Sequence, residues 1–199
     1  SRGLGDCIRD RIMAVVGNHM RNQGKLKKDT IVATVMSNLG FFQMGEREKL
    51  HMEQTKVGDR YVLERMREIG ASLGGEQSGH VIFLDENTTG DGLLSALHLL
   101  EVMVDTGKPL SELASIMTVM PQALVNARVP NHKKDKYMEY PEIAGAIDEL
   151  NRKFAGDGRV LIRPSGTEPK VRVMIEGRDQ KMIDEEAHKL ADLIQNIML

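Results

Sequence analysis

Apolar residues recur at helical spacing near the start of the chain, where Ile8, Ile12, Val15, Val16, His19 and Met20 share one face of a predicted helix. On that face His19 reads as a packed histidine rather than a ligand. Gly24, Lys25, Lys27 and Lys28 break the pattern, and residues 30–36 are then continuously apolar, as in a strand buried on both faces. The pattern next predicts a helix over residues 40–50 and a short strand near residues 53–56. A further helix, capped by Asp59, runs through Tyr61, Val62, Met66 and Ile69 to Gly70. Strand alternating with helix is the signature of a parallel α/β layer. A glycine-rich stretch then leads into the apolar strand Val81-Ile82-Phe83-Leu84. Thr88-Thr89-Gly90-Asp91-Gly92 opens an amphipathic helix, with Asp91 as its cap rather than a metal ligand. Its expected core face is Leu93, Leu97, Leu100 and Val104, and it ends near Gly107-Lys108-Pro109. A short helix over residues 111–117 follows.

Beyond Pro121 the period changes. Ala123, Val125, Ala127 and Val129 alternate with Gln122, Leu124, Asn126 and Arg128, which predicts a half-buried strand. Residues 130–140 form a polar loop, whose charge run His132-Lys133-Lys134-Asp135-Lys136 reads as a solvated surface. A helix on Ile143, Ile147, Leu150 and Phe154 leads through the turn Gly156-Asp157-Gly158 to two strands, Val160-Ile162 and Val171-Ile175. A last helix carries Ile183, Ala187, Leu190 and Ile194. These elements predict a small α+β unit separate from the first. There is no internal repeat and no low-complexity segment.

Two loops carry candidate chemistry. Arg163-Pro164-Ser165-Gly166-Thr167-Glu168-Pro169 joins the last two strands. Arg163 offers a forked guanidinium, Ser165 and Thr167 offer hydroxyls, and Gly166 is expected to turn with positive φ and bare its amide. Pro164 and Pro169 restrict the loop, and Arg172 on the following strand supplies a second cation. This chemistry suits a phosphate, although a Ser-Gly-Thr turn is also found as a plain turn. The second loop is Leu73-Gly74-Gly75-Glu76-Gln77-Ser78-Gly79-His80. Its carboxylate, amide, hydroxyl and imidazole suit the hydroxyls of a sugar. The alternative is a glycine-rich hairpin whose polar groups face water.

Composition narrows the partners. A chain of 199 residues with 41% hydrophobic content can bury a core as one large domain or two small ones. Its 27 basic and 29 acidic residues give a formal charge of -2, so neither the charge nor any basic tract points to nucleic acid. Apolar runs are too short for a membrane span, and Ser1-Arg2-Gly3-Leu4 lacks the core of a signal peptide, so a cytoplasmic location is expected. The single cysteine, Cys7, excludes an internal disulfide and is read as structural or incidental.

Together, in this order and separation, Gly75-Glu76-Gln77-Ser78-Gly79-His80 and Arg163-Pro164-Ser165-Gly166-Thr167-Glu168-Pro169 resemble the sugar-binding and phosphate-binding loops of the α-D-phosphohexomutase family. Residues 33–40, Val57-Gly58-Asp59-Arg60-Tyr61 and Thr88-Thr89-Gly90-Asp91-Gly92 look most like its bacterial phosphoglucosamine mutase branch. The resemblance covers most of the chain from about Lys25. It implies a phosphohexomutase-type α/β domain with a mixed sheet, followed by a small α+β C-terminal domain of the TATA-box-binding-protein type. Residues 1–24 would be the tail of a metal-binding second domain, 25–121 the sugar-binding third domain and 122–199 the phosphate-binding fourth. The implied reaction is exchange of glucosamine 6-phosphate and glucosamine 1-phosphate through glucosamine 1,6-bisphosphate. A phosphoserine in the first domain and Mg²⁺ on aspartates of the second would do the chemistry. Neither loop occurs in this sequence, so no catalytic residue and no metal ligand is expected here. Glu76, Ser78 and His80 would hold the sugar; Arg163, Ser165, Gly166, Thr167 and Arg172 would hold the distal phosphate; Arg60 would face the cleft. The implied partners are a phosphosugar and the N-terminal domains of the same protein, with a homodimer left open. A glucose or mannose phosphate mutase and a noncatalytic sugar-phosphate-binding module remain alternatives.

Overall fold

A computed structural model describes residues 3–199, with side chains from Ile8 onward. The Cys7 side chain and residues 1–2 lie outside that description. The chain divides after Val119 into two compact units.

The first unit contains α1 (Gly3–Asn22), β1 (Thr30–Thr34), α2 (Leu39–Arg47), β2 (His51–Thr55), α3 (Asp59–Ile69), β3 (Leu73–Gly75), β4 (Val81–Phe83), α4 (Gly92–Thr106) and α5 (Leu110–Leu113). Its sheet has the order β2-β1-β3-β4. The pairs β1·β2 and β1·β3 are parallel and β3·β4 is antiparallel, so the layer is mixed, as the family resemblance implies, and not purely parallel. Every residue of the inner strand β1 is buried, which is why its sequence is continuously apolar instead of alternating. Successive strand residues serve opposite faces. Ile31, Ala33, Leu73, Val81 and Phe83 enter the larger core, whereas Val32 and Ile82 meet Val62 and Met66 of α3. Helix α1, expected as the tail of a preceding domain, contributes Met13, Val16 and Met20 to the larger core. His19 lies largely buried and its Nε2 is 3.1 Å from Asp105 Oδ2, so it ties α1 to α4.

Two expectations in this unit are corrected. Asp59 does not cap α3. The cap position is Gly58, and Asp59 Oδ1 accepts the adjacent Arg60 N–H at 2.8 Å. Helix α4 is also rotated from its expected setting. Asp91 caps it by accepting the N–H groups of Leu93 and Leu94, but Ser95 and Val102 are the buried residues, with Leu94 and Leu99 packed beside them. Leu93, Leu97, Leu100 and Val104 are 72%, 54%, 54% and 80% exposed. The helix is apolar on two sides, so periodicity alone does not choose its inner face. On the inner face His98 stacks on Phe83 at 4.0 Å between ring centroids while its Nε2 lies 2.7 Å from Glu86 Oε1. Among the described residues, no helix is long and apolar enough to cross a membrane.

The second unit contains β5 (Gln122–Arg128), α6 (Pro141–Lys153), β6 (Arg159–Pro164), β7 (Lys170–Glu176) and α7 (Gln180–Met198). Its antiparallel sheet runs β5-β7-β6, with β7 in the centre. Val171, Val173 and Ile175 of β7 pack with Ile143, Ile147, Ile183, Ala187, Leu190 and Ile194 of α6 and α7. The period of two then directs Lys170, Arg172, Met174 and Glu176 to the opposite face. Glu176 is fully buried there and accepts from Arg159, its cross-strand neighbour, at 2.8 and 2.5 Å.

Candidate functional site

The first loop follows β3 and closes on β4, with Gly75 paired to Val81. A Cβ on Gly75 would stand 2.4 Å from the His80 carbonyl oxygen, so only glycine lets the two strands approach this closely. The Glu76 N–H donates to that carbonyl at 2.8 Å, and the Gly79 N–H donates to the Glu76 carbonyl at 3.1 Å. This turn leaves Ser78 and His80 exposed and buries Glu76. Glu76 Oε1 accepts the Gly58 N–H at 2.8 Å, while Oε2 lies 3.4 Å from Ser78 Oγ and 3.9 Å from His80 Nδ1. Gly58 has φ of 133°, a conformation that presents its amide to Glu76 and that other residues rarely adopt. The three expected sugar-binding residues, Glu76, Ser78 and His80, are therefore brought together.

The expected cleft residue is not among them. Arg60 points along the exposed surface of α3, where its Nε donates to Glu64 at 2.7 Å. The neighbouring residue that does reach the loop is Gly58, through its backbone. A backbone donor has no side-chain signal, so the sequence does not point to it.

Because one Glu76 oxygen holds the backbone of another segment, the Glu76→Ala change is expected to lower the melting temperature by several degrees. The lost bond to a charged acceptor is worth about 1.5–3 kcal/mol. Glu76→Gln keeps an oxygen for the Gly58 N–H and should retain most of the stability. Scanning calorimetry of the two variants checks this; equal melting points would mean that the Gly58 bond contributes nothing.

The second loop joins β6 to β7 as a hairpin in which Arg163 is the cross-strand partner of Arg172. The Ser165 N–H donates to the Lys170 carbonyl at 2.8 Å, and the buried Ser165 Oγ accepts the Glu168 N–H at 3.3 Å. Gly166 and Thr167 form the exposed tip. The expectation of a positive φ at Gly166 is corrected, because that residue lies outside the left-handed region and a Cβ there would meet open space. The loop closes instead through the Ser165 side chain. The Nε atoms of Arg163 and Arg172 are buried without a hydrogen-bond partner. Arg172 Nη2 lies 3.2 Å from Glu168, which also pairs with Lys170 at 2.7 Å. Among the described residues no ion pair joins a carboxylate to Arg163. Burial, reinforced by the Arg172 charge, lowers the Arg163 pKa from its ordinary value. Two half-buried guanidiniums that repel each other make a strong site for an anion.

The charge run read as a solvated surface is exposed at His132, Asp135 and Lys136, while Lys133 and Lys134 are partly buried. Lys134 donates through Nζ to the Ser165 carbonyl at 2.5 Å, and Tyr137 donates through its hydroxyl to the Ile162 carbonyl at 3.2 Å. Residues Lys134–Glu139 form a short 3₁₀ turn that supports the hairpin from below. Lys134 and Glu168 were missed as site residues. Glu168 was legible as the one acid inside a basic loop, whereas Lys134 lies 31 residues from its partner.

Mg²⁺ is the ion that the family resemblance implies. The described residues do not fit it, since no group of three or more His, Cys, Asp or Glu among them could hold a metal. Each loop gathers polar side chains at an exposed tip, Ser78 and His80 in the first and Thr167 in the second.

Comparison with known proteins gives a consistent result. The phosphoglucomutase/phosphomannomutase α/β/α domain III pattern matches residues 9–120, and the pattern of that family's C-terminal domain matches residues 124–193. Phosphoglucosamine mutases from Ruminiclostridium cellulolyticum and Acetivibrio thermocellus are 56% and 58% identical to this chain over 186 residues. Those 186 residues are 94% of this chain and 41% of each relative, so the chain spans about two fifths of the length of the curated relatives it matches. The Aspergillus fumigatus N-acetylphosphoglucosamine mutase, solved with GlcNAc-6P and magnesium, superimposes with a TM-score of 0.74. That match covers 98% of this chain and 44% of the other at 22% identity, a likeness of fold.

Proposed function

The chain belongs to the phosphoglucomutase/phosphomannomutase family, and from that premise we propose that it supplies the sugar- and phosphate-binding half of a phosphoglucosamine mutase. The reaction is exchange of glucosamine 6-phosphate and glucosamine 1-phosphate through the 1,6-bisphosphate, in the cytoplasm. Residues 25–121 form the sugar-binding domain and 122–199 the phosphate-binding domain. Residues 1–24 lead in from a metal-binding second domain through α1. In this reading Mg²⁺ supplies charge neutralisation at the transferring phosphoryl group and is held outside this chain. Ser78, His80 and the outer edge of Glu76 meet the sugar hydroxyls. Arg163, Arg172, Ser165, Thr167 and the Gly166 amide hold the phosphate that does not react. Binding energy collected at that remote phosphate is used to position the reacting end of the sugar.

The observation that carries the proposal is the pair Arg163 and Arg172, side by side with buried Nε atoms that have no partner. A guanidinium gives a phosphate two parallel N–H bonds, whereas an ammonium gives a point charge on a flexible stem. Arg163→Lys in the full-length protein is therefore expected to weaken glucosamine 6-phosphate binding by about 1–3 kcal/mol, the scale of one charge-assisted bond. Calorimetric titration measures it. Unchanged affinity in the folded variant would mean that the hairpin is a turn and not the phosphate site. Titration with glucose 6-phosphate alongside tests the choice of the amino sugar.

A further inference from the structure

Four cations share one face of the β5-β7-β6 sheet. Arg128 is the cross-strand partner of Lys170, and Arg163 that of Arg172. Lys170 and Arg172 alternate with the core residue Val171 on β7, so all four lie on the face turned away from α6 and α7. Like charges set directly opposite repel one another. Among the described residues the ion pairs of these cations go to Glu168 alone, whose Oε1 lies 2.7 Å from Lys170 Nζ and whose Oε2 lies 3.2 Å from Arg172 Nη2. Lys170, with Arg172 behind it, lowers the Glu168 pKa from its ordinary value. The backbone of Glu168 is fixed, since its N–H donates to the buried Ser165 Oγ and its carbonyl accepts the Lys170 N–H at 2.8 Å. The carboxylate is not fixed. Its side chain is 46% exposed and borders, with Arg128, Pro130 and Lys170, a groove of about 520 Å³ into which it can swing.

We propose that Glu168 is a resident counter-ion of the phosphate site, which neutralises Arg172 and Lys170 while the hairpin is empty and yields them to an incoming phosphate. The inference rests on the reading of this hairpin as the phosphate site. A phosphate held by Arg163 and Arg172 takes Arg172 Nη2 from Glu168 and then faces a like charge at close range. Both effects weaken binding, and both vanish with the carboxylate. The proposed exchange gives that weakening a use. The phosphate that does not react is on C6 of one substrate and on C1 of the other, so in each turnover the hairpin must release one phosphate and take up another. A carboxylate at hand to reclaim the cations eases release, because the guanidiniums are not left to repel each other.

The test is calorimetric titration of glucosamine 6-phosphate into the full-length protein and its Glu168→Gln variant. In the variant Kd should fall roughly two- to fivefold, the range of one exposed ion pair. Binding should also depend more steeply on salt, because the site carries one more net positive charge. Unchanged or weaker binding overturns the proposal, since Glu168 is then a bystander or a brace that holds Arg172 in place. Tighter binding without the steeper salt dependence overturns it as well, assigning the effect to loop structure and not to charge. Glu168→Ala repeats the comparison should Glu168→Gln fail to fold, and circular dichroism establishes folding in each case. Arg163→Lys, titrated alongside, separates this role from the reading beneath it. If Arg163→Lys binds more weakly and Glu168→Gln does not bind more tightly, only the counter-ion role falls. If neither variant changes the affinity, the phosphate site falls with it.

Discussion

Supplied with Mg²⁺, glucosamine 6-phosphate and glucosamine 1,6-bisphosphate, the purified 199-residue chain is expected to form no glucosamine 1-phosphate above the uncatalysed background. Phosphoryl transfer needs an in-line nucleophile and charge neutralisation at the transferring group. The sequence contains no Asp-x-Asp-x-Asp run, and no group of three or more acidic, His or Cys residues among the described residues could gather a metal. In the proposed reading the loops at 75–80 and 163–169 grip parts of a ligand away from the reacting bond. Positioning alone has nothing to position against. Phosphorus NMR of the mixture is the measurement, and turnover by this chain would overturn the division of labour proposed for it.

The largest stability effect is expected at Arg159. Its guanidinium donates to Glu176 Oε2 at 2.8 and 2.5 Å, and Glu176 has no exposed surface. Removing the cation leaves a carboxylate buried in the sheet, for which the usual cost is about 3–5 kcal/mol. Arg159→Ala should therefore shift the urea midpoint of the 122–199 unit sharply downward. Replacing both residues together, as Arg159→Met with Glu176→Met, should recover most of the loss, since an apolar pair of similar volume carries no desolvation cost. A single variant that loses less than about 1 kcal/mol, the scale of an exposed pair, would show that the carboxylate is held by other groups. Arg159 and Arg163 share β6, so fraying of that strand should weaken phosphate binding in the single variant and not in the double one.

Local pattern was enough for most elements, because period and punctuation are properties of the chain alone. The continuous apolar run at 30–36 announced an inner strand, and β1 is indeed buried throughout. Alternation across 122–129 announced β5, and the prolines and glycine at 164–169 announced the turn between β6 and β7. Both loops stand out in the sequence as polar stretches between apolar strands, and in the structure each buries one of its polar side chains, Glu76 and Ser165. The sequence offers Arg172 as a second cation on the strand after Arg163, and the register of β6 on β7 makes the two cross-strand partners.

The tertiary structure alone decided features that depend on a distant partner. Helix α4 has two apolar faces, and packing of Val102, Leu94, Leu99 and His98 against the sheet side of the unit fixes which one turns inward. Lys134 sits in an ordinary-looking charge run and supports Ser165 only because the fold returns the chain to it. Glu76 looked like a free sugar ligand, yet one of its oxygens holds the amide of Gly58, 18 residues earlier. In each case the sequence set what a residue can do, by its period and its chemistry. The packing of elements far apart in the chain set which neighbour it does it with, because rotation of a helix and choice of a hydrogen-bond partner are decided by contacts that no local window contains.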